Sequence, residues 1–184
     1  MIVGRDIVIR QIELGDEEYL YKWWNDGEFM GHATLSYGTL QSKDTIKAGI
    51  EREISNSELY PRNKRFIICK KNGMVPIGEM NYCDWDSRNQ KCELGIKVCE
   101  TSEQGKGYGK ESLSLFIDFM FKFLNLNKIE LTTMKDNYRA QKLYELLGFK
   151  TIGIVREGYF DSRAGEFSDV VYMDLLKREW HKLK

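Results

Sequence analysis

Hydrophobic and polar positions alternate over residues 6–12, DIVIRQI, as they do along a half-buried strand, and GDEEYLYKWWND then spaces Leu20, Trp23 and Trp24 for a helix. Ile46, Ile50 and Ile54 recur every four positions and predict a second helix over residues 42–56. The period returns to two in RFIICK and MVPIGEMNY, joined through Asn72 and Gly73, a dipeptide that tolerates the positive φ of a tight turn. DWDSRNQ leads on to CELGIKV, giving three successive antiparallel strands. Leu113, Phe116, Ile117, Met120 and Leu124 then fall at helical spacing over residues 107–125, and KIELTTM reads as a strand, completing a βαβ unit. NYRAQKLYELLGF predicts a helix with Asn137 at the N-cap and Gly148 at C′, and strands near 149–157 and 166–175 close the pattern. No repeat, linker or low-complexity segment interrupts it. The expectation is one α/β (α+β) domain over residues 1–184.

Lys plus Arg and Asp plus Glu number 28 each, so no global field draws the chain to nucleic acid or to an anionic membrane, and any affinity for an anion must be local. Cys69, Cys83, Cys92 and Cys99 lack CxxC spacing and sit in or beside strand-like runs. They read as reduced thiols, and with only His32 and His181 beside them no metal site is expected. No apolar run approaches the length of a spanning helix, so a cytoplasmic protein without a membrane partner is expected.

Between CELGIKV and the long helix stands QGKGYG, where Gly105, Gly107 and Gly109 alternate with Lys106 and Tyr108. The first turn of a helix presents unpaired N–H groups and the positive end of a dipole, and glycines let a large anion approach that backbone. The same glycines would also serve a plain helix-entry turn. A P-loop needs Ser or Thr after Gly-Lys, but Glu111 follows Gly109-Lys110; a dinucleotide fingerprint needs GxGxxG, and the spacing is GxGxG. The pattern present is QxxGxG, as Gln104, Gly107 and Gly109.

Taken in order with NxxAxxLYExxGF (Asn137 to Phe149) and the segment from Glu157 to Leu175, that pattern resembles the acyl-CoA loop of the GNAT superfamily of N-acetyltransferases, in the branch holding RimJ/RimL-type and spermidine acetyltransferases. The resemblance implies a mixed, mostly antiparallel sheet flanked by helices, with a splayed strand pair holding acyl-CoA. It implies acetyl-CoA as co-substrate and an amine acceptor as partner; a homodimer is left open. Carried over residue by residue, it places pantetheine on the backbone of Ile96, Lys97 and Val98, and pyrophosphate against Gln104, Gly105, Lys106, Gly107, Tyr108, Gly109 and Lys110. It also implies a cofactor contact at Asn137 and a general acid at Tyr144, whose reference pKa of about 10 keeps it protonated at neutral pH. Packing is the competing role for Tyr144, and a simple cap for Asn137.

The attacking amine must be neutral, which for a pKa near 10.4 costs roughly 4.6 kcal/mol at pH 7. Glu79 and Glu93, on the central strands, are the candidate bases, directly or through water; both also read as solvated strand-face carboxylates. Glu157, Asp161, Glu166 and Asp169 read as loop charge or as an acidic entrance for a cation. Trp23, Trp24, Phe29, Met30 and Tyr37 cluster where an acceptor pocket is expected; adjacent Trp23 and Trp24 cannot share one helix face, and His32 reads as a surface residue. The reading is an acetyl-CoA-dependent N-acetyltransferase acting on a primary amine, a protein α-amine or a small amine such as a polyamine. An aminoglycoside-type drug acetyltransferase and a non-catalytic acyl-CoA sensor are the alternatives; Tyr144 beside an intact loop argues against the sensor.

Overall fold

The computed structural model of the protein describes residues 1–27, 30 and 38–183. Among them run strands β1 (Ile2–Val3), β2 (Ile7–Gln11), β3 (Lys64–Lys70), β4 (Pro76–Asp86), β5 (Lys91–Val98), β6 (Lys128–Met134), β7 (Lys150–Asp161) and β8 (Glu166–Leu176). The helices are α1 (Glu17–Trp24), α2 (Lys43–Ile54), α3 (Tyr108–Lys122), α4 (Tyr138–Leu146) and α5 (Lys177–Leu183). One eight-stranded sheet runs β1-β2-β3-β4-β5-β6-β8-β7, antiparallel everywhere except between β5 and β6. This is the mixed, mostly antiparallel architecture that the resemblance implies.

Alternation along the central strands sends side chains to two cores. Phe66 and Ile68 of β3, Met80 and Tyr82 of β4 and Leu94 of β5 pack with Leu113, Phe116, Ile117 and Met120 of α3. Ile67 and Cys69, pointing the other way, join Leu20 and Trp23 of α1 and Ile46 and Ile50 of α2. The isoleucine repeat of α2 overruns the core: Ile46 and Ile50 are buried while Ile54 is exposed. The predicted helix caps hold. The Asn137 side chain accepts a hydrogen bond from the Ala140 N–H at 3.2 Å, and Gly148 follows α4 with φ of 91°. The first turn of α3 is tied to the start of the chain, where the Asp6 N–H donates to Glu111 Oε1 at 2.9 Å.

One pairing sets the geometry of the site. β5 and β6 match only at Lys91↔Lys128, Cys92↔Ile129 and Glu93↔Glu130, and β5 continues from Leu94 to Val98 paired with β4 alone. β6 meanwhile pairs with β8 through Met134. The two neighbours therefore part after Glu93, leaving one edge of β5 without a strand partner among the described residues in the middle of the sheet. At the far margin, β7 runs longer than its alternation predicts, to Asp161, and Ile152, Ile154, Val155, Tyr159 and Phe160 are about half exposed on it.

Phe116 is fully buried and packs edge-on against Phe66, with ring centroids 4.9 Å apart. Phe116→Ala is expected to lower stability in urea unfolding by roughly 3–5 kcal/mol. Ser112→Ala is expected to be neutral or slightly stabilising in the same assay, because the buried Ser112 hydroxyl has no hydrogen-bond partner among the described residues.

Candidate active site

The glycine loop lies against the end of β5 that has parted from β6, with Gln104 and Gly109 both beside Val98. Gly105 and Gly107 have φ of 78° and 90°, a left-handed backbone that side chains disfavour, and a Cβ at either would meet nothing within 4 Å. Their demand is conformational, and the space above them is open. Gly107 is also the N-cap of α3 and supplies no capping side chain, so the first N–H groups of a fifteen-residue helix face that space. Gly109 is more confined, its Cβ position lying 3.7 Å from Val98 and 3.8 Å from Leu143.

Gln104 holds the loop to the end of the free strand. Its Nε2 donates to the Val98 carbonyl at 2.9 Å, and its Oε1 accepts from Arg139 of α4 at 3.3 Å. Arg139 is a cation at the loop that spacing alone did not single out. Lys106 is turned back onto Glu103 at 2.8 Å, and Glu103 also takes Lys70 at 3.1 Å. Those two lysines hold the Glu103 carboxyl below its usual range. Lys110 lies exposed in the first turn of α3.

Tyr144 is 8% exposed, its ring centroid 5.9 Å from that of Phe149. Burial pushes its pKa up to about 12. Its hydroxyl makes no hydrogen bond to a described residue and is not sealed from solvent. Packing and a free hydroxyl thus coexist in one side chain, as do cap and position in Asn137, whose side-chain oxygen is committed to the Ala140 N–H.

Glu79 and Lys97 are cross-strand partners on β4 and β5. Glu79 is only 7% exposed, which replaces the solvated strand-face reading with a buried carboxylate. Its Oε1 takes both Lys97 Nζ at 2.8 Å and Trp24 Nε1 at 2.8 Å. A cleft of about 350 Å³ opens here, lined by Trp24, Arg65, Glu79, Asn81 and Lys97 among others. Arg65 lies 5.5 Å over the Trp24 ring and is bound to Glu53 at 2.6 Å. Trp23, by contrast, is buried in the core, its indole N–H given to Glu100 at 2.8 Å. The adjacent tryptophans divide as helix geometry requires. Phe29, His32 and Tyr37 lie outside the described residues.

Glu93 belongs to a different cleft, with Arg62, Asp84 and Lys91, and accepts from Thr132 Oγ1 at 2.9 Å. The structure therefore separates the two candidate bases. Cys83, Asp84 and Glu93 bring ligand-type atoms within 4.8 Å of one another, but Asp84 is taken by Arg62 at 2.7 Å. Of the four acids near the last hairpin, Asp161 is neutralised by Arg163 at 3.0 Å and Asp169 by Lys135 at 2.8 Å, and both carboxyls are held low by those partners. Two of the charges of an acidic entrance are thus already spent.

A strand pair that parts, with a glycine loop and a helix start beside it, is the arrangement that the resemblance implies for an acyl-CoA-dependent transferase. Residues 6–150 match the model of the acetyltransferase (GNAT) domain family, and the chain belongs to that family of acetyl-CoA-dependent N-acetyltransferases. It is 30% identical over 176 residues to the uncharacterized N-acetyltransferase p20 of Bacillus licheniformis, covering 95% of this chain and 94% of that one. It is 27% identical over 183 residues to a spermidine N(1)-acetyltransferase of Vibrio cholerae, covering 97% of each. A crystal structure of spermidine N-acetyltransferase from Vibrio cholerae in complex with CoA and spermine superposes with a TM-score of 0.85 at 24% identity, over 96% of this chain and 98% of that one. Among the described residues, no helix is long and apolar enough to cross a membrane.

The open space over Gly107 generates a direct test. Two like charges about 5 Å apart repel by roughly 1–3 kcal/mol between the bulk-water and partly screened limits. Gly107→Glu is therefore expected to weaken acetyl-CoA binding about fivefold to 150-fold by calorimetry. Unchanged affinity in the folded variant would remove the loop from the binding site.

Proposed function

We propose that the protein acetylates a primary amine by direct attack on acetyl-CoA in a ternary complex. The observation that carries this reading is the unpaired edge of β5 ending at the N-terminus of α3. The backbone N–H groups from Gln104 to Gly109 receive the pyrophosphate, with Arg139 and Lys110 adding positive charge. Ile96, Lys97 and Val98 take the pantetheine arm as β5 would take a further strand. The amine nitrogen attacks the thioester carbonyl, the C–S bond breaks, and CoA leaves as a thiolate. Tyr144, held protonated by burial, supplies a hydrogen bond or proton to that sulfur and recovers its proton from solvent.

Glu79 accepts the proton that the amine gives up, directly or through water. Lys97 and Trp24 both bind its Oε1, which orients the carboxylate and leaves Oε2 without a partner among the described residues. Glu93, beside Thr132, is the alternative base. The relationship to a spermidine acetyltransferase over nearly its whole length favours a small amine such as a polyamine as acceptor. The four free cysteines suit a reducing cytoplasm.

A homodimer is supported by β7, whose outer edge is unpaired among the described residues and carries no charge from Thr151 to Val155. Six half-exposed apolar side chains, from Ile152 to Phe167, offer on the order of 500 Å², against roughly 800 Å² per partner in a stable interface, with strand backbone supplying much of the rest. A second copy pairing along this edge is the occupant proposed. Light scattering should report a dimer for the wild type and a monomer for Ile154→Lys. A monomeric wild type would overturn the assignment.

Tyr144→Phe keeps the ring and removes the hydroxyl. Its kcat on a verified acceptor is expected to fall about 10²–10⁴-fold, with little change in acetyl-CoA affinity or melting temperature. A wild-type kcat in the folded variant would exclude Tyr144 as the acid.

A further inference from the structure

Gly95 has no side chain for a reason that lies across the strand. It is the register partner of Asn81, and a Cβ built on it would stand 2.4 Å from Asn81 Oδ1 and 3.2 Å from Asn81 Cγ. Backbone conformation does not demand glycine there, since Gly95 is not among the positive-φ residues. What demands it is the Asn81 carboxamide, whose Oδ1 stands closest to the bare backbone of β5.

That carboxamide occupies a particular place. Glu79, Asn81 and Cys83 alternate on one face of β4, opposite Lys97, Gly95 and Glu93 of β5. Asn81 thus sits between the buried Glu79–Lys97 pair and Glu93, above the stretch of β5 that has lost its β6 neighbour. It lines the cleft that Trp24, Glu79 and Lys97 also line. The charged groups there are largely committed to one another, Glu79 to Lys97 and Arg65 to Glu53. The Asn81 amide makes no hydrogen bond to any described residue and is only partly buried. A carboxamide has one oxygen that accepts and one NH₂ that donates, so it can hold an amine without adding charge.

We propose that Asn81, seated by the missing side chain of Gly95, binds the acceptor amine, its Oδ1 accepting an N–H from it. The assignment rests on the acetyltransferase reading of this same cleft and adds to it a residue and the reason for a glycine. Because one uncharged hydrogen bond to substrate is worth about 0.5–1.5 kcal/mol, its loss appears as roughly a two- to tenfold change. If the bond forms equally in the ground and transition states, the change falls on KM and leaves kcat alone.

The test measures steady-state kinetics with the fastest acceptor from a panel of spermidine, L-lysine and an N-terminal peptide, alongside acetyl-CoA affinity and melting temperature. Asn81→Ala should raise the amine KM up to about tenfold, with kcat within about twofold of wild type and acetyl-CoA affinity unchanged. Gly95→Ala, which leaves Asn81 in the chain but displaces its amide, should raise the same KM. The double variant should be no worse than the more affected single one, because both remove one contact. An unchanged amine KM in folded Asn81→Ala overturns the proposal, as does a double variant whose losses multiply. Asn81→Ala alone decides the matter if Gly95→Ala does not fold. The acid role of Tyr144 fails on kcat and the Asn81 role on amine KM, so the two are told apart.

Discussion

Everything the site does depends on three residue pairs. A parallel pair cannot be closed by a tight turn, so the chain must leave β5, cross over and return as β6, and it crosses as α3. Because the pairing stops at Glu93↔Glu130, the last five residues of β5 keep an open edge on that side, and because the crossover begins directly after them, the helix start lies at the end of that edge. Unpaired strand backbone and unpaired helix N–H groups are thus two products of one topological break. A ligand with an amide-bearing arm and an anionic head satisfies both at once.

Charge around this break is largely internal. Lys106 faces Glu103, Lys97 faces Glu79, Arg65 faces Glu53, and two of the four acids of the last hairpin, Asp161 and Asp169, meet Arg163 and Lys135. Balanced composition is therefore repeated locally, pair by pair. What is left for ligands is mostly neutral and directional: main-chain N–H groups, a tyrosine hydroxyl and a carboxamide. Such groups select by geometry more than by long-range attraction, which suits a reaction whose nucleophile must arrive uncharged.

Periodicity made most of the elements legible, because helices and strands repeat their apolar positions at fixed intervals, and the glycine loop was legible because QxxGxG stands between two such elements. Local signals failed where the cause was tertiary. Ile54 keeps the spacing of Ile46 and Ile50 but lies beyond the core. Glu79 looked like any carboxylate on an alternating strand until Lys97 and Trp24 closed over it. Lys106 looked available until Glu103 claimed it. Arg139 and Asn81 carry no signature at all, since their significance is a neighbour from another element: Gln104 for one, Gly95 for the other. A glycine inside CELGIKV was the available hint, because a strand interior gives up packing to hold one.

The bond between Asp6 and Glu111 ties the first turn of α3, the turn proposed to receive the cofactor's anionic head, to the amino-terminal edge of the sheet. Ligation at that turn opposes its fraying, and the opposition is shared with whatever the turn holds in place. A ligand present at a hundred times its dissociation constant contributes about 2.7 kcal/mol to the bound state. If the proposed cofactor site is right, amide hydrogens of β1 and of the β1–β2 connection, remote in sequence from any substrate contact, are expected to exchange with solvent more slowly when the cleft is filled. On that assignment, occupancy of the transferase centre would be read in the protection of the protein's first six residues.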